Sequence, residues 1–294
     1  MRICQYETSK TNEMKQTILY CFLLCWLTVY PIYAVTHRAL VFGLGMQLDP
    51  AWGKIHGDND IAYVVRMLKG MGYTDIQTLK NEQATKQAMV RAFTELEDRC
   101  RPGDKVYIHY SGHGQLMTDL NGDESFRWNN KHSQWDESWI PYDAYMYYGQ
   151  NDRGEKHLGD DEVASFMQRI RQRIGKKGEL IVVVDACHSG DATCGDDEEC
   201  IRGVDTKFVI PKDPNATIEK PIEEQWLTIS ACKPYQLSTE LKELQIGKLT
   251  YALYTLGKGL FNQDNQTIEH LLKEVIKQHK GRLPQTPMVS GHKK

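Results

Sequence analysis

Polar and apolar positions along this chain fall into two kinds of block. Short, nearly continuous apolar runs stop at glycine or at acidic residues, and between them apolar residues recur at helical spacing. Residues 38–44 (RALVFGL) read as a buried strand closed by Gly43 and Gly45. Residues 59–69 place Ile61, Val64, Val65 and Leu68 on one helical face, and Gly70 and Gly72 stop that helix. Residues 75–79 form a second strand. Thr85 opens a helix to about residue 99, with Ala88, Met89, Ala92, Phe93 and Leu96 inward. After a Pro-Gly turn, residues 105–110 (KVYIHY) make a third strand that runs into Ser111-Gly112-His113-Gly114. The stretch 115–139 is polar and reads as too irregular for a core element, with a brief extended piece at 140–143. Asp160 or Asp161 caps a helix carrying Val163, Phe166, Met167 and Ile170. Residues 180–184 (LIVVV) are the most strand-like run and stop at Asp185-Ala186-Cys187-His188-Ser189-Gly190. A long polar loop covers 191–224, a fifth strand 227–231, and helices close the chain at 250–260 and 267–280. Strands alternating with helices imply right-handed crossovers, hence an α/β fold with a mostly parallel sheet and helices on both faces.

The first segment stands apart. Residues 18–34 carry no charged side chain, Lys15 precedes them and Ala34 ends them at a small residue. That is the pattern of an export signal, with an uncleaved anchor as the other reading, although the run is short for a spanning helix. The expected organisation is therefore a signal peptide or signal anchor at 1–34 and a single domain at 35–294. The expected location is exported, periplasmic or secreted, with no stable membrane association once the signal is cut. Composition supports one sizeable core: 294 residues, 40% hydrophobic, 26% charged. A formal net charge of −3 and the lack of a long basic run argue against nucleic acid as a partner. Of eight cysteines, Cys100, Cys187, Cys194, Cys200 and Cys232 lie beyond residue 34. An odd count in an exported chain leaves at least one thiol out of any disulfide set.

Reactive residues in such sheets collect beyond the carboxyl ends of the strands. The third strand delivers His113 between glycines and the fourth delivers Cys187. A thiol nucleophile needs a neighbouring base to take its proton, and an imidazole can return that proton to a leaving amine. The N–H groups of Gly114 and Cys187 offer a two-donor oxyanion hole. His188, next to Cys187, points elsewhere than its neighbour, and His109, inside a strand, reads as structural.

Tyr110-Ser-Gly-His-Gly114 and Asp185-Ala-Cys-His-Ser-Gly190 resemble the paired signatures of the caspase-like C14 peptidases, the metacaspase branch in particular. The likeness runs over 38–291. It takes in Gly57-Asp-Asn-Asp60, Asp119-Leu-Asn-Gly-Asp-Glu124, Asp136-Glu-Ser-Trp-Ile-Pro-Tyr-Asp143 and Ser230-Ala-Cys232. The resemblance implies a caspase-like three-layer α/β/α sandwich and a cysteine endopeptidase with His113 and Cys187 as dyad. It also implies an S1 pocket of Asp60, Ser111 and Asp185 that holds Arg or Lys, where caspases proper have Gln in place of Asp185. A helix cap is the alternative role for Asp60, and a carboxylate satisfied by backbone amides the alternative for Asp185. The chemistry requires no cofactor. Calcium is open: Asp119, Asp123, Glu124, Asp136 and Glu137 supply hard oxygen ligands, against a merely solvated acidic loop. Cys194 stands about where the family's calcium-binding aspartate is expected. Related enzymes often cut themselves in the loop after the nucleophile. Arg202 before Gly203 is the first-choice site, on an expected long exposed loop. Cys194 and Cys200 are spaced for a small disulfide, leaving Cys100 and Cys232 as buried thiols. Partners are then protein or peptide substrates with a basic P1 residue, with oligomeric state open. The competing readings are an idle caspase-like binding module and a peptidase with Asp at P1.

Overall fold

The structure is a computed structural model that describes residues 34–124, 135–188, 200–212, 220–234, 236–279, 281 and 283–293. The chain divides into two compact units at Ala34, and Val35–Lys294 is the unit described below. The expected signal segment lies outside the described residues, among which no helix is long and apolar enough to cross a membrane.

Eleven strands and five α-helices follow one another among the described residues. In chain order they are β1 (His37–Gly43), α1 (Gly57–Gly70), β2 (Asp75–Lys80), α2 (Lys86–Arg99), β3 (Lys105–Ser111), β4 (Gly114–Thr118), β5 (Trp135–Trp139), β6 (Leu158–Gly159), α3 (Asp160–Ile174), β7 (Glu179–Asp185), β8 (Leu227–Ser230), β9 (Glu240–Leu241), β10 (Ile246–Gly247), α4 (Lys248–Leu256), α5 (Asn265–Gln278) and β11 (Met288–Gly291). The main sheet has the order β11-β8-β7-β3-β1-β2. Its neighbours are parallel except β11, which runs antiparallel to β8.

Side chains of successive strand residues point to opposite faces, and both faces of this sheet are covered, which explains the nearly unbroken apolar runs. Leu40, Phe42, Val106, Ile108 and Val182 pack under α2 and α3, through Met89, Phe93, Phe166 and Ile170. Ala39, Val41, Tyr107, Ile181 and Val183 pack under α1, α4 and α5, through Val64, Leu68, Leu253 and Leu272. This is the three-layer α/β/α sandwich expected from the sequence.

Four local expectations are corrected. The polar stretch after His113 is not irregular at its ends: β4 and β5 pair antiparallel, with β6 completing a second sheet. Two of its polar side chains are buried but bonded, Gln115 Nε2 to the carbonyls of Met146 (3.0 Å) and Thr206 (2.8 Å), Ser138 Oγ to the Gln115 carbonyl (2.8 Å). Residues 140–143 join no strand. The helix at 160 starts from Gly159, so Asp160 and Asp161 lie in its first turn, where they meet the positive end of the helix dipole, instead of capping it. The helix expected over 250–260 begins earlier, at Lys248, and tightens to a 3₁₀ turn over Gly257–Asn262.

Candidate active site

β3 and β7 are hydrogen-bonded neighbours, and Ser111 stands opposite Asp185 in their register. Two residues beyond each lie His113 and Cys187. The backbones there are in contact: a Cβ on Gly114 would stand 2.5 Å from the Cys187 carbonyl oxygen. Cys187 is 2% exposed and carries no disulfide. The His113 ring is buried against Trp52, centroids 5.3 Å apart. Its Nε2 lies 2.6 Å from the Gly53 carbonyl, which can only accept. Nε2 therefore carries the proton, and Nδ1, which makes no hydrogen bond, presents its lone pair. Burial pushes the His113 pKa down to about 4, against the opposing pull of the Gly53 carbonyl, so the ring is neutral. His188 turns away and meets Glu137, Nδ1 to Oε1 3.5 Å. His109 is buried between Tyr107 and Ser111: Tyr107 Oη is 3.3 Å from its Nδ1 and Ser111 Oγ 2.9 Å from its Nε2.

Beside the pair lies a pocket filled by the chain itself. Arg202 is fully buried. Its guanidinium forks onto Asp60, Nη1 to Oδ2 at 2.6 Å and Nη2 to Oδ1 at 3.1 Å. Nε donates to Glu240 Oε1 at 2.9 Å, and Nη1 lies 3.5 Å from Asp185 Oδ2. Ser111 Oγ donates to Asp60 Oδ2 at 2.8 Å, and the Thr250 hydroxyl lies 2.9 Å from Asp60 Oδ2 and 2.8 Å from Asp185 Oδ2. The expected trio of Asp60, Ser111 and Asp185 is thus brought together. Asp60 is no helix cap, since α1 starts from His56 and Asp60 sits a turn inside it. Asp185 takes the Thr250 N–H as well as the Thr250 and Ser238 hydroxyls. Burial would raise the pKa of Asp60, but Arg202 and the hydrogen bonds hold it below the ordinary carboxylate value. Burial raises that of Asp185, with the Asp60 charge adding and Arg202 opposing. Arg202 itself is held firmly protonated.

Three pocket residues escaped the sequence reading. Glu240 supplies a third carboxylate and is itself fixed by His56, whose N–H meets Oε1 at 2.8 Å and whose Nδ1 meets Oε2 at 2.7 Å. Thr250 bridges the two aspartates. Gly247 forms a wall: a Cβ there would lie 2.1 Å from Asp185 Oδ2 and 2.6 Å from Arg202 Nη1. β9 and β10 are two residues each, too short to leave a periodic signal.

The backbone of Arg202 is equally constrained. Its carbonyl oxygen accepts from the N–H of Cys187 at 2.9 Å and of Gly114 at 3.3 Å. Its own N–H donates to the Ser238 carbonyl at 3.0 Å, Glu240 N–H donates to the Cys200 carbonyl at 3.1 Å, and Ile201 bridges Thr239 antiparallel. Gly203 then bridges Gly114, parallel, and a Cβ on Gly203 would stand 2.7 Å from Cys187 Sγ. The expectation of a long exposed loop is therefore corrected at this point. The segment around Arg202 is drawn into the cleft, because its guanidinium finds three buried carboxylates and its peptide groups find strand edges.

Among the expected calcium ligands, the carboxyl oxygens of Asp119, Asp123 and Asp136 lie within 4.8 Å of one another, all three residues buried. Asp136 is pushed up to about 8, first by burial and then by Asp119, Asp161, Asp123 and Glu124. A group of hard oxygens under such mutual repulsion fits a divalent cation. Glu137 does not belong to it. Alternation along β5 sends it to the other face, where it is half exposed and meets His188. Asp161, in the first turn of α3, adds its charge to the cluster as well. A second group, His56, Cys200 and Glu240, is close enough for a metal, but Cys200 is disulfide-bonded and cannot offer a thiolate. Cys194, its expected partner, lies outside the described residues. Cys100 is buried, with its thiol pushed up to about 12 by burial, whereas Cys232 is only half-buried, its Sγ 3.2 Å from the Gln236 carbonyl.

Comparison with known proteins bears on the whole domain. The family model described as a caspase domain matches residues 38–293. Metacaspase-1B of Neurospora crassa is 38% identical over 120 residues, which is 40% of this chain and 24% of that protein. Metacaspase-1 of Meyerozyma guilliermondii is 34% identical over 119 residues, 40% of this chain and 25% of that protein. The matched part thus spans about a quarter of these curated relatives. Two solved structures share the fold. A protein from Geobacter sulfurreducens has TM-score 0.58 at 19% identity, over 87% of this chain and 92% of that one. Caspase-1 from Spodoptera frugiperda has TM-score 0.56 at 9% identity, over 90% of each chain. With the model matched across nearly all of the described unit, the chain belongs to the caspase-domain (C14) peptidase family.

Proposed function

We propose that this chain is a cysteine endopeptidase that cleaves after arginine or lysine through His113 and Cys187, and that its own Arg202–Gly203 bond is a substrate. One observation carries the reading. The Arg202 side chain fills a pocket of three carboxylates while its carbonyl oxygen rests on the N–H groups of Gly114 and Cys187, beside the Cys187 sulfur. Few arrangements other than a bound scissile peptide place all three of those contacts on one residue. A P1 aspartate would meet only like charge there.

The chemistry follows from these positions. His113 Nδ1 takes the Cys187 thiol proton as the sulfur attacks the carbonyl carbon. The C–S bond forms and the carbonyl π pair moves onto the oxygen held by the two N–H groups. Collapse of this adduct breaks the C–N bond, and His113 returns the proton to the leaving amine. Water then adds to the thioester carbonyl, its proton passing to His113; collapse breaks the C–S bond, releases the new carboxyl terminus, and the His113 proton returns to the sulfur. Calcium has no part in these steps. Bound by Asp119, Asp123 and Asp136, with Glu124 and Asp161 adjacent, it would neutralise the acidic cluster behind β4 and β5. The disulfide at Cys200 supports export to an oxidising compartment, with Cys194 as the proposed partner.

The test has two arms. Intact-mass analysis compares the wild-type chain with Cys187→Ala, and fluorogenic peptides with Arg, Lys or Asp at P1 are assayed with and without calcium. A cut after Arg202 in wild type alone, with turnover of basic-P1 peptides, is expected. Identical uncut chains together with no basic-P1 turnover would refute the proposal.

A further inference from the structure

We propose that the cleft also reads the two residues after the scissile bond, taking glycine at P1′ and an aliphatic side chain at P2′. The second subsite is built from Trp52, Ile140, Ala144 and Met146. The inference rests on the reading of Arg202–Gly203 as the bond presented to Cys187.

At P1′ the argument is steric. A Cβ built on Gly203 would lie 2.3 Å from the Cys187 carbonyl oxygen and 2.7 Å from its carbonyl carbon, as well as 2.7 Å from Sγ. Backbone atoms cannot swing aside as a flexible side-chain end can. Those two atoms belong to the residue whose own N–H holds the P1 carbonyl, so moving them disturbs the oxyanion contacts.

At P2′ the argument is burial. Val204, 5% exposed, packs with Trp52, Ile140, Ala144 and Met146 in an apolar cluster of its own, separate from the two cores that flank the main sheet. The walls are fixed by bonds that do not involve Val204. Trp52 Nε1 donates to the Ala144 carbonyl at 3.1 Å, Met146 N–H to Asp49 Oδ2 at 2.9 Å, and Ile140 N–H to Tyr110 Oη at 2.9 Å. Trp52 also lies tilted against the His113 ring, so this subsite adjoins the base. The four lining side chains are uncharged, and the carboxylate behind them, Asp49, is already bonded to the Met146 N–H, so an Asp at P2′ would be buried among apolar groups and near like charge. Beyond it the chain stays on β4: Phe208 N–H donates to the Leu116 carbonyl at 2.8 Å and Thr118 N–H to the Phe208 carbonyl at 3.1 Å. Phe208 is itself fully buried against His157, ring centroids 4.1 Å apart, so P1′ and P2′ are the selective positions next to the bond while the side chain at 208 is held farther along.

Internally quenched peptides with Arg fixed at P1 test this directly, with Gly or Ala at P1′ and Val, Leu, Asp or Lys at P2′. A P1-Arg aminocoumarin amide, which has no peptide after the scissile bond, is run beside them. Hydrophobic pockets discriminate by roughly 10–200-fold. We expect Gly-Val to exceed both Ala-Val and Gly-Asp by at least about tenfold in kcat/KM. Met146→Ala, which enlarges the pocket, should shift the ratio of P2′ Leu to P2′ Val upward. In the chain itself, Gly203→Ala and Val204→Asp should slow the cut after Arg202. Turnover of the coumarin amide with equal kcat/KM across all quenched peptides would overturn the subsite while leaving the peptidase intact. No turnover of any Arg substrate would remove the peptidase and the subsite together.

Discussion

Removal of the Arg202 side chain is the sharpest perturbation available. In Arg202→Ala the pocket keeps Asp60, Asp185 and Glu240, all buried, and loses the one guanidinium they share. Taking one partner from a buried ion pair costs about 3–5 kcal/mol. Water entering the emptied pocket hydrates the carboxylates and favours the lower end of that range. For a domain of this size class each kcal/mol is worth roughly 2–4 °C in Tm, so about 3 kcal/mol gives a drop of about 6–12 °C. The comparison belongs in a Cys187→Ala background, where both chains stay uncut. Its pH dependence has a definite sign. In the parent, Asp60 is held below its ordinary value, so its contribution is present above the unfolded value of 3.8 and is lost as pH falls through the folded one. In the variant, burial and mutual repulsion raise the folded carboxylate pKa values above the unfolded ones. The native state then binds protons that the unfolded chain does not, and stability rises as pH falls from 7 toward 4. The two melting curves should converge on acidification. Small ligands carrying a guanidinium should also rebind and raise the variant's Tm in proportion to the logarithm of their concentration. A Tm unchanged within about 2 °C at pH 7 and parallel pH profiles would refute the pocket electrostatics given above.

Other expectations follow from the same geometry. Glu240→Gln keeps a hydrogen-bond acceptor for the P1 Nε but removes charge that a lysine, lacking that N–H, would leave unpaired. The Arg-to-Lys ratio of kcat/KM should therefore fall, by roughly tenfold for a buried charged hydrogen bond of about 1.5 kcal/mol, and an unchanged ratio would contradict this role. Asp136, with its folded pKa near 8 against 3.8 unfolded, should make the domain less stable as pH rises from 4 to 8. Calcium should then raise Tm more at pH 8 than at pH 5, and Asp136→Asn should flatten the metal-free profile; a calcium effect equal at both pH values would oppose the assignment. Cys187, covered by Gly203, should resist iodoacetamide in the uncut chain and react after cleavage, as followed by peptide mapping. Equal labelling before and after would show that the Arg202 segment leaves the cleft without being cut.

The framework was legible because β1, β3 and β7 are buried on both faces and leave unbroken apolar runs, and because His113 and Cys187 sit just past their ends among glycines. The acidic pair of the pocket was legible only through the resemblance, because Gly57-Asp-Asn-Asp60 and Asp185, two residues before Cys187, match the family's pattern. What escaped was held by contacts with no local pattern. β4 was read as loop because Gln115 is polar, and its burial is explained only by the distant carbonyls of Met146 and Thr206. Gly247 and Thr250 meet Asp60 and Asp185 across separations of 62 to 190 residues, and Glu240 joins them only through Arg202 and His56, 38 and 184 residues away, which no window along the chain can register. Glu137 was misplaced with the acidic cluster because β5 was not recognised, and period-two alternation would have parted it from Asp136.

The strand edge that receives the Arg202 segment is fastened late. Thr239, between Ser238 and Glu240, is held through its N–H and its hydroxyl by Gln285 Oε1, at 3.0 Å each, while Gln285 Nε2 reaches the Ala231 carbonyl at 3.2 Å. During synthesis His113 and Cys187 leave the ribosome well before Gln285 does, and chains grow at only about 5–20 residues per second. A nascent polypeptide carrying the thiol and the imidazole thus still lacks the anchored edge that would hold a peptide against them. On the proposed function, the order of residues along the chain would delay cleavage until the domain has closed.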